Sequence, residues 1–180
     1  FTNKTDSGLT LSYRYDFTGA IGDTGTQTVD ENSLAISGGF GKIVLGQDDD
    51  ASDSYNIDEM DLPTEEPGST FASATIGTSS SVGSTDAMKV AYHLPAMGGL
   101  TAGISFADSG TNTGTDKTAM GARYSMEAGG AAITLGYATT TTEATTKDTD
   151  ETNMGLKVVS GDLSLIVSQG TTEGVDEDID

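Results

Sequence analysis

The chain has 180 residues and is strongly acidic: 28 Asp and Glu against 8 Lys and Arg give a formal net charge of −20. A chain this negative repels nucleic acid and anionic lipid headgroups, so no nucleic-acid partner is expected. It contains no cysteine, which excludes a disulfide framework, and no run approaches the roughly 20 apolar residues of a membrane helix. Membrane-spanning strands stay compatible with these data, because alternating strands leave only a weak hydropathy signal.

Apolar and polar residues alternate with a period of two along most of the chain, a pattern typical of β-strands. The first example is the clearest, since every second residue from Leu9 to Phe17 is apolar and those between them are polar. In chain order the alternation predicts nine strands, at residues 8–17, 32–37, 42–46, 88–94, 100–106, 119–126, 133–137, 154–158 and 163–168. The expected fold class is therefore all-β.

The connections between these strands alternate between long and short. Long polar loops are predicted at residues 18–31, 47–85, 108–116, 139–151 and from 170 onward, and short turns at 38–41, 95–99, 127–130 and 160–161. An antiparallel up-and-down transmembrane β-barrel with one elaborated rim shows this alternation. A sandwich with Greek-key connections is not expected to show it. The pattern favours a single β-barrel domain over residues 1–180, with 47–85 as its longest loop.

The two faces of the predicted strands differ in composition. One face is apolar and carries aromatic residues suited to a girdle at the bilayer interfaces, namely Tyr13, Tyr15, Phe17, Tyr92, Phe106, Tyr124 and Tyr137. The other is rich in Gly, Ser and Thr, and its candidates for a basic pore wall are Arg14, Lys42, Lys89, His93, Arg123 and Lys157. Packed cores favour large residues at high density, so this second face is predicted to line a water-filled lumen.

The acidic loop at residues 47–85 is the candidate functional segment, because structureless loops of this length inside a domain are usually functional or disordered. A cluster of carboxylates in a narrow aqueous passage concentrates cations and repels anions. The carboxylates predicted to form such a pore constriction are Asp48, Asp49, Asp50, Asp53, Asp58, Glu59 and Asp61. The alternative for the same residues is an ordinary solvated surface loop.

Bound metal and catalysis have weaker support in the sequence. Asp48, Asp50 and Asp53 form a possible Ca²⁺ ligand set, although unliganded carboxylates with diffuse counterions are the simpler interpretation, and no other cofactor is expected. His93 is the only histidine, which makes a zinc site improbable. No nucleophile elbow or triad signature is recognisable, so the protein is not expected to be an enzyme.

Two short motifs point to a known family. Residues 4–10 read KTDSGLT and residues 39–49 read GFGKIVLGQDD. The first resembles the lead into a strand, and the second the hairpin before the third external loop, of alphaproteobacterial general (Rhodobacter-type) outer-membrane porins. The resemblance implies a trimeric barrel of about 16 strands with that loop folded into the lumen. Since open strand edges are not tolerated in lipid, the chain is expected to be an incomplete part of a longer protein.

The hypothesis that follows is a passive diffusion channel for ions and small hydrophilic solutes in a Gram-negative outer membrane, weakly selective for cations. Its expected partners are outer-membrane lipid, two further copies in a homotrimer, and the permeating solutes. The alternative is an acidic, Ca²⁺-stabilised extracellular β-rich adhesin or surface-layer protein.

Overall fold

The computed structural model describes residues 1–18, 28–57, 87–108, 115–144 and 147–175. Their strands are β1 (Thr2–Lys4), β2 (Thr10–Thr18), β3 (Thr28–Gly38), β4 (Gly41–Asp48), β5 (Ala87–His93), β6 (Leu100–Ala107), β7 (Asp116–Ala128), β8 (Ala131–Glu143), β9 (Asp148–Ser160) and β10 (Leu163–Val175). All ten belong to one sheet, in which each strand pairs with the next in the order β1 to β10. The described strands thus have the predicted antiparallel up-and-down topology.

The described residues form one strand more than the nine predicted, and five strands, β3, β7, β8, β9 and β10, are longer than expected by five or more residues. β1 pairs only Thr2 to Lys4 with β2, which is too short a stretch to show a period of two. β8 and β9 remain paired as far as Thr142 and Thr149, where the sequence predicts a loop at 139–151. Threonine is a good strand former, but a run of threonines carries no apolar alternation, so the sequence signal ends before the strands do.

The turn between β7 and β8 confirms the short turn predicted at 127–130 and narrows it to two residues. Gly129 and Gly130 have φ values of 61° and 80°, and Ala128 pairs with Ala131 across them. A two-residue hairpin with positive φ at both positions matches the right-handed twist of the flanking strands, and it requires residues such as glycine.

Burial of the two faces of the sheet is the reverse of that in a water-soluble domain. On the face that we call the outer face, large apolar side chains are exposed, as for Met88 (67%) and Val167 (58%). On the opposite, inner face the buried residues are mostly small or polar, including Ser33, Ser105, Ala119, Ala138, Thr140 and Asn153. Such an extended apolar surface is unfavourable in water. The outer face is therefore suited to a hydrocarbon environment.

Strand length agrees with that environment. β7, β8, β9 and β10 each have 13 residues, and a strand that crosses a bilayer at a tilt needs about 9–11 residues. Within the described ranges, no helix is long and apolar enough to cross a membrane.

Candidate functional site

Residues 49–57 leave β4 and lie across the inner face of the sheet; we call them the inner loop. Its first half is folded into tight turns, in which the Asp53 amide donates to the Asp50 carbonyl and the Tyr55 and Asn56 amides donate to the Ser52 carbonyl, each at 3.0 Å. Most of the inner loop is buried. It therefore covers part of the inner face.

The inner loop is held by hydrogen bonds to the inner face of β6, β7, β8 and β9. The Ala51 amide donates to Ser105 Oγ (2.9 Å), Ser52 Oγ bonds to Thr140 Oγ1 (2.8 Å), the Arg123 guanidinium donates to the Asn56 carbonyl, and the Ile57 amide donates to Asn153 Oδ1 (3.3 Å). Because these partners lie on four neighbouring strands, the inner loop is fixed along its length rather than at one end.

A buried ion pair joins the inner loop to β5. Lys89 Nζ lies 2.7 Å from Asp50 Oδ1, and the two side chains are 0% and 1% exposed. A charge removed from water carries a desolvation penalty of several kcal/mol, which a partner at this distance offsets. Lys89 and Asp50 therefore hold the loop to the wall and do not face an aqueous passage.

Tyr55 makes a further contact with β5. Its hydroxyl lies 2.8 Å from His93 Nδ1, and the two rings are 5.8 Å apart between centroids. Burial raises the pKa of the Tyr55 hydroxyl, because the charged phenolate is disfavoured away from water. The hydroxyl thus stays protonated and available for this hydrogen bond at neutral pH.

The inner face of β2 to β5 borders an open cleft of about 630 Å³ beside the inner loop. Ionisable side chains from both sides line it. The carboxylates are Asp16, Asp48, Asp49 and Asp53, and the basic residues are Arg14, Lys42 and His93. Asp49 and Asp53 come from the inner loop, whereas Asp16, Asp48 and the basic residues lie on the sheet, so the cleft is a polar passage with charged groups on both sides.

Arg14, on β2, is paired with acidic neighbours. Its Nε donates to Asp16 Oδ2 at 2.7 Å. Its Nη1 forms an ion pair with Glu31 of β3. These carboxylates compensate its positive charge at close range. Lys42, in contrast, is an exposed residue on the same wall of the cleft.

The predicted acidic constriction residues fall into three groups. Asp48, Asp49 and Asp53 line the cleft, whereas Asp50 is buried against Lys89. The remaining three, Asp58, Glu59 and Asp61, lie outside the residues that the structure describes. The part of the long loop that is described therefore contributes three of its carboxylates to the passage.

The predicted basic wall is likewise divided. Arg14, Lys42 and His93 line the cleft. Lys89 is buried, and Arg123 points at the inner loop and donates to the Asn56 carbonyl. Lys157 is partly exposed on β9. The alternation of residues along a strand predicts which side chains lie on the inner face. It does not predict which part of that face the inner loop covers.

The possible Ca²⁺ set of Asp48, Asp50 and Asp53 is not brought together as a ligand cluster. Asp50 is paired with Lys89. Among the described residues, the carboxylates that approach within 4.8 Å of one another belong to Glu31, Asp48 and Asp49, and Glu31 is also paired with Arg14. Arg14 therefore already neutralises part of the negative charge of this cluster.

The predicted aromatic girdle lies on the outer face wherever its side chains are described. Tyr13 and Tyr15 are stacked with ring centroids 6.2 Å apart, and the Tyr92 hydroxyl donates to the Phe40 carbonyl at 2.6 Å. Exposed aromatic residues on this face are Tyr13, Tyr15, Phe106, Tyr124 and Tyr137. The side chain of Phe17 is outside the described part of the chain.

Several residues of the site have no clear signal in the sequence. Ser105, Thr140 and Asn153 hold the inner loop, yet serine, threonine and asparagine are common throughout this chain. Tyr55 and Ile57 carry a usable signal, because they are the large apolar residues of an otherwise acidic and polar stretch. Such residues in a polar loop indicate that this part of the loop is packed against the protein.

Comparisons with known proteins were made for both the sequence and the structure. A family model described as Gram-negative porin matches residues 1–178. A porin structure refined at 1.8 Å resolution matches the fold with a TM-score of 0.56 and 17% sequence identity, over 95% of this chain and 57% of that chain. At this identity the likeness concerns the fold alone, and the chain spans little more than half of that porin. No curated protein matches the sequence significantly.

Proposed function

Because the chain belongs to the Gram-negative porin family, we propose that it forms the wall and constriction of a passive diffusion channel for ions and small hydrophilic solutes, with a preference for cations. Family membership places the protein in the outer membrane of a Gram-negative bacterium. The observation that carries the proposal is the open cleft of about 630 Å³ between the inner loop and the inner face of β2 to β5.

The distribution of polarity supports a channel. The outer face exposes large apolar side chains, which are stable against lipid hydrocarbon, while the inner face carries the charged and hydroxyl groups. In the bilayer, a polar face of this kind requires water. A water-filled passage along the inner face satisfies both requirements at once.

The preference for cations rests on the charges that line the cleft. Four carboxylates, Asp16, Asp48, Asp49 and Asp53, and two cations, Arg14 and Lys42, line it, so with His93 neutral the lining side chains carry a net charge of −2. Fixed charge in a narrow passage with low-dielectric walls raises the local concentration of counterions. Cations are therefore expected to be enriched in the cleft relative to anions.

The same charges bear on the class of solute. Acidic groups on the inner loop face basic groups on the sheet across the cleft, which produces an electric field transverse to the passage. Any solute that enters must displace water that this field orients. An apolar solute cannot replace the hydrogen bonds of that water, so its entry is energetically unfavourable. Small hydrophilic solutes are thus favoured over apolar ones of equal size.

Assembly and partners follow from the same proposal. The chain spans 57% of the matched porin, and we propose that it is one part of a barrel of about 16 strands that assembles as a homotrimer surrounded by outer-membrane lipid. No cofactor, catalytic role or nucleic-acid partner is proposed. The Ca²⁺-stabilised adhesin is disfavoured, because the ten described strands pair neighbour to neighbour and, within this part of the chain, have no Greek-key connection of the kind found in sandwiches.

The experiment is single-channel recording of the intact protein in a planar lipid bilayer, under a salt gradient that gives the reversal potential. Stepwise conductance in groups of three with a cation-favouring reversal potential is the expected result. An anion-favouring potential contradicts the proposed selectivity while leaving the channel, and absence of conductance from demonstrably folded protein contradicts the channel itself.

A further inference from the structure

Four glycines lie on the inner face beneath the inner loop, one on each of β6 to β9: Gly103, Gly121, Gly136 and Gly155. Gly103 pairs with Gly121, and Gly136 pairs with Gly155. None of the four has a positive φ, so any residue can adopt their backbone conformation. Glycine within a strand is less favourable than alanine, and in such a position it often marks the close approach of another group.

The space above these glycines is filled by two side chains of the inner loop. A Cβ added at Gly103 lies 2.9 Å from the Tyr55 ring and 2.8 Å from His93 Nδ1 of β5, and one added at Gly121 lies 2.7 Å from Tyr55 Cβ. A Cβ at Gly136 lies 2.7 Å from Ile57 Cγ1, and one at Gly155 lies 2.9 Å from Ile57 Cγ2. Since carbon atoms pack at about 3.5–4.0 Å, no side chain fits between the loop and the wall.

We infer that these four glycines are positioning residues: they form a slot that seats Tyr55 and Ile57 and thereby fixes how far the inner loop projects into the passage. The inference rests on the proposed channel function, because it concerns the width of that channel. Ile57 is fully buried and Tyr55 nearly so, which shows that the slot is filled. The opposite side of the inner loop borders the open cleft.

The width of the channel therefore depends on the size of the wall residues in the slot. A methyl group added at the bottom of the slot moves the loop by about 1 Å, the difference between the contacts above and ordinary carbon packing at about 3.5–4.0 Å. The loop moves toward β2 to β5, because the wall lies behind it. The cleft narrows as a result, and the lining carboxylates come closer to the basic wall.

The test is a comparison of Gly155→Ala with Gly39→Ala in the intact protein. A methyl group at Gly39 meets no atom within 4 Å and is not strained by a positive φ, so this variant is the matched control. Crystal structures are expected to show the inner loop displaced by about 1 Å in Gly155→Ala and unmoved in Gly39→Ala. Single-channel conductance is expected to be lower in Gly155→Ala and unchanged in the control.

A second substitution separates the slot from a role of glycine in strand twist. In Gly155→Ala combined with Ile57→Gly, the side-chain contacts of the new methyl group are gone and only the carbonyl oxygen of residue 57, at 2.9 Å, remains close, so the loop is expected to return in part and the conductance to rise. Gly103→Ala is a milder variant for the same comparison, because its methyl group meets the ring ends of Tyr55 and His93.

The inference is overturned if the inner loop is unmoved in both Gly155→Ala and Gly103→Ala. It is also overturned if the loop is displaced as far in the double variant as in Gly155→Ala alone. The displacement is read from crystal structures without any current. Absence of conductance from the folded native protein would contradict the proposed channel function. It would leave the inference about the slot open to its own test, the position of the loop in the crystal structures.

Discussion

The inner face of β2 to β5 and the inner face of β6 to β9 follow the same alternation of residues, yet they have different surroundings. The first borders an open, charged cleft, whereas the second is covered by the inner loop. The first carries the long side chains of Arg14, Lys42 and His93 among small residues, namely Ser12, Ser33, Ala35 and Ala91. Glycine and alanine dominate the second: Gly103, Ala107, Ala119, Gly121, Gly136, Ala138 and Gly155.

From this difference we infer that small wall residues on β6 to β9 are needed for the close packing of the loop, in addition to its polar contacts. A wall of small residues lets a loop approach closely and bury its apolar side chains, as Tyr55 and Ile57 do. On β2 to β4 the long side chains of Arg14 and Lys42 border the open cleft, whereas Lys89 and His93 of β5 reach the loop and contact it. The predictions below test this division, from the largest expected effect to the smallest.

Removal of the buried ion pair is expected to have the largest effect. In Lys89→Ala the Asp50 carboxylate remains buried without its partner, a situation that costs about 3–5 kcal/mol. Release of the inner loop from the wall avoids much of this penalty, so we expect a lower unfolding midpoint in urea and a higher, less steady conductance. Lys4→Ala, which removes an exposed lysine of β1, is the control.

The combination of Lys89→Met with Asp50→Leu removes both charges at similar volume and is expected to recover most of the stability. If Lys89→Ala behaves like Lys4→Ala in both assays, the loop is not held by this pair.

A matched pair of substitutions on β3 tests the two faces of the sheet. Leu34 is exposed on the outer face, and an arginine there costs about 2–4 kcal/mol near the bilayer midplane. Ala35, the next residue, lines the cleft, so Ala35→Arg is expected to fold and to weaken the preference for cations. Equal folding yields of the two variants in lipid vesicles contradict the assignment of the faces.

Neutralisation of the cleft carboxylates is expected to change selectivity without loss of fold. Asp49→Asn together with Asp53→Asn brings the net charge of the lining side chains from −2 to 0, so the reversal potential under a salt gradient should move toward zero. Lys42→Ala should move it in the opposite direction. Asp162→Asn, at an exposed turn between β9 and β10, is the control and should leave it unchanged.

The smallest effect is expected for Tyr55→Phe. This change removes the hydroxyl that bonds to His93 and leaves the ring that fills the slot, with an expected cost of about 0.5–1.5 kcal/mol. The unfolding midpoint should fall slightly while the conductance stays the same. A conductance change as large as that of Gly155→Ala would show that the hydrogen bond, and not the packing, positions the loop.

Much of the fold is predictable from the sequence, because strand alternation and turn glycines are local signals. The inner and outer faces, the order of long and short connections and the glycine turn before β8 follow from such signals. Strand extension through the threonines after Ala138 does not, since it depends on pairing with β9 rather than on apolar pattern.

The site is predictable only in part. Alternation places Ser105 and Arg14 on the same face, but only the path of the inner loop decides that Ser105 is buried and Arg14 borders the cleft. The same holds for the carboxylates: Asp49 and Asp50 are neighbours in the chain, yet Asp49 lines the cleft and Asp50 lies against Lys89. Contacts between distant segments carry this information.

The most direct test of the division between an open and a covered wall uses single cysteines on the inner face. The chain has no cysteine of its own, so a thiol reagent can react only with the introduced residue. The two variants are Ala35→Cys in the cleft and Ala138→Cys beneath the inner loop. A cationic methanethiosulfonate reagent is added during single-channel recording. We predict a stepwise loss of conductance with Ala35→Cys and none with Ala138→Cys. Equal modification of both, or modification of Ala138→Cys alone, would contradict a passage along β2 to β5.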